Sequence, residues 1–210
     1  MKPLACCIVE TRALTDLVEI IRDKHLVYLP EGTQLIIFHS KENEQILKDA
    51  FPNAGFSLLE GLNSVNDYNS VLTCPEVWKQ LEIYSKVLVF QSDSELLKEG
   101  IEEFMVPEIS FIGARWAWNP NHIGNGGLSL RDPKIMSEVI SRVPWDGSLN
   151  EDHYFTKAMY DHKIGQLATH EMAEKFSVEA VFGLGSLGYH AIDKWLTPLQ
   201  CQEIRLQYQK

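Results

Sequence analysis

What the sequence lacks excludes several classes of protein. No apolar stretch approaches the roughly 20 residues that a membrane-spanning helix needs, so we expect no membrane span. The N-terminal segment reaches its first acid at Glu10, which is too early for a signal peptide and is more typical of a first strand. These absences predict a protein that works in the cytoplasm.

Cysteine is scarce and unpaired in the sequence. The four cysteines form no CxxC pair and show no spacing typical of a zinc finger; they are Cys6, Cys7, Cys74 and Cys201. Such residues are typical of free thiols in a reducing compartment. The sequence therefore predicts neither a disulfide framework nor a cysteine-bound metal.

Positive charge is in short supply. The chain has 29 acidic residues against 19 basic ones, for a net charge of −10. Binding to a nucleic-acid backbone depends on clustered lysine and arginine, so no nucleic-acid partner is expected. A small anionic ligand remains compatible with this charge, because a few local cations or a metal can override the global field.

Several catalytic and nucleotide-binding motifs are missing as well. The sequence contains no GxxxxGK[ST], no GxGxxG after its first strand, no GxSxG and no HExxH. The glycine-rich signature of sugar-nucleotide pyrophosphorylases is also replaced, here by Glu10-Thr11-Arg12. Arg12 at this strand end could contact a base or a phosphate of a ligand. The alternative is a solvated residue at a helix start, and the sequence does not decide between the two.

The pattern that is present predicts an α/β fold. Apolar runs at 5–9, 35–39, 56–59 and 87–90 are typical of strands, and amphipathic helical segments separate them. Thr73 and Glu76 are spaced as a capping box for one of these helices. The second half is less regular, with short strands expected at 109–112, 128–130 and 176–181, and helices at 133–143 and 151–161. This alternation indicates a mostly parallel, twisted sheet flanked by helices in a single domain over residues 1–210.

The strand at residues 87–90 ends in a candidate cation site. Four apolar residues are followed at once by polar ones, with Asp93 between two hydroxyls. In a parallel sheet the carboxyl end of a strand opens into the ligand crevice, where a lone carboxylate can hold a cation. The alternative is that Asp93 or Ser94 only caps a helix that begins at Glu95.

A glycine-rich loop forms a second candidate. Asn125, Gly126 and Gly127 precede the strand at 128–130, and glycines there permit a close approach of the backbone to a ligand. A plain turn is the alternative. Trp116 and Trp118 lie just upstream, and their flat apolar faces are of the kind that bind sugar rings.

Two further candidates carry charge. Glu151 and Asp152 open a helix, where acids are expected from the helix dipole alone, but a carboxylate there can also serve as a general base. His190 is suited to complete the shell of a divalent metal begun by Asp93, with Lys194 near the same anionic ligand. A histidine after glycines is otherwise usually structural.

Together these residues resemble GT-A glycosyltransferases. Residues 90–94 are similar to the DxD region of that group, with Gln91 at the first Asp position and Asp93 at the second. Residues 190–195 resemble the His…Lys-Pro-Trp element, without its proline. Three more segments resemble those of a GT-A-like family of uncharacterised glycosyltransferases: 123–131, 150–152 and 176–179.

The resemblance spans residues 67–195 and extends more broadly to the amino-terminal glycosyltransferase domain of a chlorella-virus protein involved in capsid glycan synthesis. It implies a GT-A-like domain with a nucleotide-binding first half, present as the N-terminal part of a longer protein or by itself. It also implies a metal-dependent hexosyltransferase that moves a sugar from a UDP-sugar to a glycan acceptor. A viral origin would place the enzyme in the host cytoplasm.

The resemblance also implies roles for single residues. Asp93 and His190 would hold Mn²⁺ or Mg²⁺, while Asp152 would be the base of an inverting reaction or would orient the sugar in a retaining one. Residues that bind the nucleotide sugar would be Thr11, Arg12, Tyr68, Asn69, Gln91, Ser92, Asn125, Gly126, Gly127 and Lys194. A nucleotide-sugar hydrolase, a nucleotidyltransferase or a non-catalytic nucleotide- or glycan-binding module remain alternatives, and the amide at Gln91 is the best argument for the last.

Overall fold

The first 90 residues build the parallel part of the central sheet. The computed structural model describes residues 2–119 and 123–208. All four predicted strands of this half are present and pair in parallel, in the order β3-β2-β1-β4. They are β1 (Lys2–Val9), β2 (Gln34–His39), β3 (Gly55–Leu58) and β4 (Tyr84–Phe90). The helices between them are α1 (Leu17–Lys24), α2 (Glu44–Ala50), α3 (Val65–Leu72) and α4 (Pro75–Leu81).

The second half extends this sheet with antiparallel pairing. Its strands are β5 (Ser94–Leu96), β6 (Phe111–Gly113), β7 (Leu128–Arg131), β8 (Ser177–Val178) and β9 (Gly188–His190). Its helices are α5 (Pro133–Arg142), α6 (Glu151–His162), α7 (His170–Phe176) and α8 (Pro198–Leu206). β7 pairs antiparallel with both β4 and β6, so the six-stranded sheet has the order β3-β2-β1-β4-β7-β6. Because both are antiparallel to β7, β4 and β6 run in the same direction.

A small second sheet, with strand order β5-β9-β8, holds the segment after β4. The alternative of a helix beginning at Glu95 is wrong, because Ser94 and Glu95 pair with His190 and Tyr189 instead. The strand expected at 176–181 is shortened to β8, since α7 runs through Phe176. The strand at β5 is a tertiary effect, because Glu95 and its pairing partner Tyr189 lie 94 residues apart.

The predicted capping box at Thr73 is also wrong. The unpredicted helix α3 ends at Leu72, and Thr73 belongs to its C-terminus, where its hydroxyl donates to the carbonyl oxygen of Asn69 over 2.8 Å. Cys74 takes the N-cap position of α4, and Pro75 begins the helix. Proline suits that first position because its missing N–H would have had no partner there.

The core lies on both faces of the sheet. Alternate residues of β1 point to opposite faces, so Cys6 and Ile8 pack with α1 while Cys7 packs near Trp78 of α4. All four cysteines are free thiols, as expected. Burial raises the pKa of Cys7 to about 12, which keeps this thiol protonated and inert.

None of the helices in the described part of the chain combines the length and the apolar character needed to cross a membrane.

His25 is a fully buried histidine between α1 and the sheet. Its ring stacks on Phe90 at 4.1 Å, its Nδ1 lies 3.0 Å from the carbonyl oxygen of Ile20, and its Nε2 lies 3.0 Å from the Ser94 hydroxyl. A carbonyl can only accept, so Nδ1 carries the proton of the neutral ring. Burial lowers the pKa of His25 from 6.5 to about 4.

This burial predicts acid-sensitive stability. Between pH 6.5 and pH 4 the unfolded chain binds a proton at His25 that the folded protein excludes. The free energy of unfolding is therefore expected to fall as the pH is lowered through this range, by about 3 kcal/mol at the low end. Urea denaturation at several pH values should show a weaker pH dependence in His25→Asn than in the wild type.

The matched control is His162→Asn, because His162 is exposed on α6 and should leave the pH dependence unchanged. Identical pH slopes for His25→Asn and the wild type would show that His25 is not the group responsible.

Candidate functional site

The candidate site lies at one edge of the central sheet. The carboxyl ends of β1, β2, β3, β4 and β6 meet there, together with the beginning of β7. Two adjoining cavities of about 620 and 560 Å³ open along this edge and share the residues that follow β1. The second cavity brings together seven of the residues predicted from sequence: Thr11, Arg12, Tyr68, Gln91, Ser92, Asp93 and Lys194.

Asp93 is the centre of a charged cluster at the end of β4. The Lys194 ammonium donates to its Oδ2 over 2.7 Å, and His190 Nε2 lies 3.2 Å from its Oδ1. Burial opposes ionisation of Asp93, but the hydrogen bonds and charges of His190 and Lys194 outweigh it and hold its pKa well below the usual range. The three residues predicted to act together are thus in contact.

His190 is held on two sides. Its Nε2 also lies 3.0 Å from Gln91 Oε1, and its Nδ1 makes an ion-pair contact of 3.3 Å with Glu179 Oε1. Burial lowers the pKa of His190, but Asp93 and Glu179 more than compensate and raise it to about 9. The ring is therefore an imidazolium at neutral pH when only these protein groups surround it.

The position of His190 depends on strand pairing and on a glycine. Pairing of β5 with β9 sets Ser94 opposite His190, which brings a residue about 100 positions away next to Asp93. The ring lies against Gly127, where an added Cβ would come within 2.2 Å of Nε2. Glycine at this position is thus required by the close approach of the imidazole.

The loop before β7 is tied to the groups around it. The Asn125 side chain donates to Glu179 Oε1 over 2.8 Å and accepts from the Gly127 N–H over 3.0 Å. The Gly126 N–H donates to Asp152 Oδ2 over 3.0 Å. This loop thereby connects the His190 cluster to the beginning of α6.

Asp152 is half-buried at the first turn of α6. Besides Gly126, its carboxylate accepts from the His153 N–H over 2.7 Å. Burial and then the neighbouring Glu151 charge raise the pKa of Asp152 to about 6. A carboxylate with this pKa is a stronger base than an ordinary aspartate and is still ionised at neutral pH.

Glu151, the neighbouring acid, has a structural role. It forms a bidentate pair with Arg131, with N–O distances of 2.6 and 2.9 Å, and the two side chains are 3% and 0% exposed. The Arg131 guanidinium lies 4.7 Å from the Phe111 ring centroid and also donates to Ser129. The pair fastens α6 to β7 and so fixes the distance between Asp152 and the glycine loop.

Asn69 and Tyr68 bring α3 to the same place. Asn69 is buried, accepts from the Glu151 N–H and donates to Asn150, both over 3.2 Å, so it caps α6 in place of the Asn150 side chain. The Tyr68 hydroxyl is buried beside the second cavity, with Gln91 as its polar neighbour. Asn69 thus positions the helix, while Tyr68 lines the second cavity.

The segment after β1 presents one cation to the cavity. The Arg12 side chain is 67% exposed and is held by Glu10, to which its Nε and Nη2 donate over 2.9 and 2.6 Å. Nη2 also donates to Ser92 over 3.1 Å. Thr11 is buried and accepts from the Leu62 N–H over 3.2 Å, so it fixes the loop after β3 rather than facing the cavity with a free hydroxyl.

The donor set at Asp93 suits a divalent cation that also binds a substrate. No group of three or more histidine, cysteine, aspartate or glutamate side chains in the described ranges is arranged to hold a metal by itself. Gln91 Oε1 and Asp93 Oδ1 nevertheless both lie close to His190 Nε2, at 3.0 and 3.2 Å. Such a partial set of oxygen and nitrogen donors fits Mn²⁺ or Mg²⁺ when phosphate oxygens fill the remaining positions.

Sequence reasoning missed two of the acids that organise the site. Glu179 joins Asn125 to His190, and Glu10 holds Arg12. Glu179 lies in one of the segments that carry the resemblance, and Glu10 directly follows the first strand. Both signals were present, but a single acid in either place is indistinguishable from a solvated residue without its partner.

The sequence matches a family model over residues 56–190, and that family is described as a protein of unknown function, DUF5672. The chain belongs to this family. The matched part of the DUF5672 protein includes Tyr68, Asp93, Asp152 and His190, whereas Arg12 and Lys194 lie outside it. A comparison with curated proteins gives no match.

Solved structures show the fold of the DUF5672 protein. Glycosyltransferase GlyE of Streptococcus pneumoniae TIGR4 is similar with a TM-score of 0.55 and 13% identity, over 99% of this chain and 60% of its own. Mouse xyloside xylosyltransferase 1 has a TM-score of 0.58 and 10% identity, over 94% of this chain and 99% of its own. The 4-diphosphocytidyl-2C-methyl-D-erythritol synthase of Anaerococcus prevotii DSM 20548 has a TM-score of 0.54 and 13% identity, over 80% of this chain and 86% of its own.

These likenesses confirm the predicted fold class, an α/β GT-A-like fold with a mostly parallel sheet. The chain spans 60% of the length of GlyE. None of the three structures comes from a chlorella virus, so that resemblance stays a prediction.

The buried ion pair predicts a large loss of stability when one partner is neutralised. Glu151→Gln leaves the Arg131 guanidinium buried without a counter-charge, which is expected to cost about 3–5 kcal/mol in the free energy of unfolding. Urea denaturation measures this loss. Glu138→Gln is the control, because Glu138 pairs with Arg142 on the exposed face of α5 and should change stability by less than about 1 kcal/mol. Equal small losses in both variants would contradict the role given to the pair.

Proposed function

We propose that this protein is a hexosyltransferase that moves a sugar from a nucleoside diphosphate sugar, with UDP as the nucleotide, to a hydroxyl of a glycan acceptor. The main support for the proposal is that a single loop contacts both the charged cluster and a basic carboxylate. Residues 125–127 contact both the charged cluster at Asp93 and the raised-pKa carboxylate of Asp152. A leaving diphosphate and a reacting hydroxyl would therefore lie on two sides of the same sugar.

The donor would occupy the two adjoining cavities. The nucleoside would lie at the ends of β1, β2 and β3, in the larger cavity. Tyr68 lines the second cavity, where the diphosphate would lie. Arg12 and Lys194 both line the second cavity, next to Asp93. Two cations there would bind a diphosphate and oppose the negative charge that develops on it as it leaves.

Asp93, His190 and Gln91 would hold Mn²⁺ or Mg²⁺ at the same place, with His190 in its neutral form. When bound, such an ion supplies Lewis-acid stabilisation of the departing diphosphate. The Lys194 ammonium, now paired with Asp93 Oδ2, would then be available to the phosphate oxygens.

Asp152 would act on the acceptor. In an inverting reaction its carboxylate takes the proton of the acceptor hydroxyl while the new C–O bond forms and the bond from the sugar to the diphosphate breaks. The pKa of about 6 supports this role, since the group is both ionised and basic at neutral pH. In a retaining reaction no dedicated base is needed, and Asp152 would orient the sugar through the Gly126 loop.

Metal-linked nucleotide binding is the first test. UDP is expected to bind more tightly with Mn²⁺ than with EDTA, because Asp93 and His190 would share the ion with the diphosphate. Isothermal titration calorimetry should show this difference in the wild type and lose it in Asp93→Ala. Asp146→Ala, at an exposed loop position, is the control and should keep it. Equal UDP affinity with and without the metal in the wild type would remove the ion from the proposal.

The role of Asp152 predicts a loss of turnover without a loss of binding. Asp152→Asn keeps the size and most hydrogen bonds of the side chain but removes the basic carboxylate, so kcat for sugar transfer is expected to fall roughly a hundredfold or more. UDP affinity should stay within about twofold. Wild-type kcat should fall as the pH is lowered through about 6, because protonation of Asp152 removes the base.

Asp161→Asn, near the other end of α6, is the matched control and should retain kcat. Turnover of Asp152→Asn within a few-fold of the wild type would exclude the base. Donor breakdown that is independent of any acceptor would favour a nucleotide-sugar hydrolase, and UDP binding without turnover would favour a binding module.

A further inference from the structure

Trp116 and Trp118, which follow β6, form an aromatic cluster with His153 of α6. Trp118 stacks on Trp116 with ring centroids 5.0 Å apart and an interplanar angle of 21°. The His153 ring meets both indoles edge to face, at 5.2 Å from Trp118 and 5.4 Å from Trp116. Offset-stacked and edge-to-face arrangements are the favourable geometries for aromatic groups, so the cluster holds Trp118 in a defined orientation.

The two indoles differ sharply in exposure. Trp116 is 6% exposed and belongs to the core, whereas Trp118 is 62% exposed. One indole face of Trp118 rests on Trp116, and most of the remaining ring meets solvent. An indole held in place with a broad face open to water offers a flat apolar surface on which a ligand ring can stack.

The aromatic cluster lies at the same edge of the sheet as the candidate site. β4 and β6 run in the same direction, so the segment after β6 emerges at the same edge as Asp93. Along that edge the cavities for the nucleotide lie at β3, β2, β1 and β4, the glycine loop lies at β7, and the aromatic cluster lies beyond it at β6. The cluster is thus on the side of the glycine loop opposite to the nucleotide cavities.

His153 links the cluster directly to Asp152. It is the next residue in α6, its backbone N–H donates to Asp152 Oδ1 over 2.7 Å, and its ring contacts Trp118. A ligand on Trp118 would therefore lie near the first turn of α6, which carries Asp152. A pyranose ring matches such a surface, because its C–H face is apolar and its hydroxyls project from the edge.

We infer that the exposed face of Trp118 binds a pyranose ring of the acceptor and presents one of its hydroxyls to Asp152. The inference rests on the proposed function, since an acceptor exists only where a sugar is transferred. It names the acceptor class as a saccharide with a stackable ring. Trp118 would supply the contact area, while Trp116 and His153 would fix its orientation.

The test uses a panel of methyl pyranosides of glucose, galactose, mannose and N-acetylglucosamine as probes, with glycerol as the control for hydroxyl binding alone. Ligand-observed saturation-transfer NMR on the full chain measures their affinities in the presence of UDP. At least one pyranoside is expected to bind, with a Kd roughly tenfold higher in Trp118→Ala and nearly unchanged in Trp118→Phe, which retains a stacking ring. Tyr160→Ala, at an exposed aromatic of α6, is the matched control and should bind as the wild type does.

UDP affinity measured on the same variants distinguishes a failure of the acceptor site from a failure of the proposed function. It should be unchanged in Trp118→Ala, which also shows that this variant is folded. UDP binding by a protein that binds none of the four pyranosides, or that binds them equally well without Trp118, would overturn the acceptor site and leave the proposed function standing. Pyranoside binding at Trp118 in a protein without affinity for UDP would overturn both the donor site and the acceptor assignment.

Discussion

The ion pair between Arg131 and Glu151 is the interaction on which the candidate site depends. Both side chains are removed from water, which costs several kcal/mol for each ion unless geometry and further hydrogen bonds compensate. Compensation comes from the bidentate contact, from Ser129 and the Gly126 carbonyl oxygen, and from the Phe111 ring beneath the guanidinium. Because Arg131 ends β7 and Glu151 begins α6, the pair fixes two elements that would otherwise be joined only by a loop and a helix.

The arrangement of the glycine loop around the proposed sugar position depends on that fixation. Asp152 is the next residue after Glu151, and its carboxylate meets the Gly126 N–H only because α6 begins where Arg131 holds it. Gly127 then lies under the His190 ring, and Asn125 reaches Glu179. A rigid loop between two charged groups is what a transfer reaction needs, since small displacements of the reacting atoms are costly in rate.

Three cationic groups gather at the candidate site, and the proposed diphosphate would bind among them. The protein as a whole has a net charge of −10, yet Arg12, Lys194 and the His190 imidazolium gather around Asp93. Without a ligand, Glu10, Asp93 and Glu179 balance these three positive charges. An incoming diphosphate would replace one set of partners by another in a partly desolvated cleft, where such contacts are stronger than in water.

The sequence by itself determined the alternation of strands and helices in the first half, the buried end of β4 and the loop of glycines before β7. Apolar periodicity and the backbone freedom of glycine are local properties, so they can be read without knowing the fold. The same holds for Asp93, Asp152 and His190 as candidates, because their residue types and their places at element ends are visible in the chain.

Only the tertiary structure decided which of these residues act together. Ser94 and Glu95 form a strand rather than a helix because β9 pairs with them, and that pairing brings His190 to Asp93. Glu151 and Asp152 look alike in sequence, and only the fold pairs Glu151 with the buried Arg131 and gives Asp152 a raised pKa. Partners distant in sequence set burial and charge, and burial and charge set the pKa of each group, so the chemistry of this edge is a property of the fold.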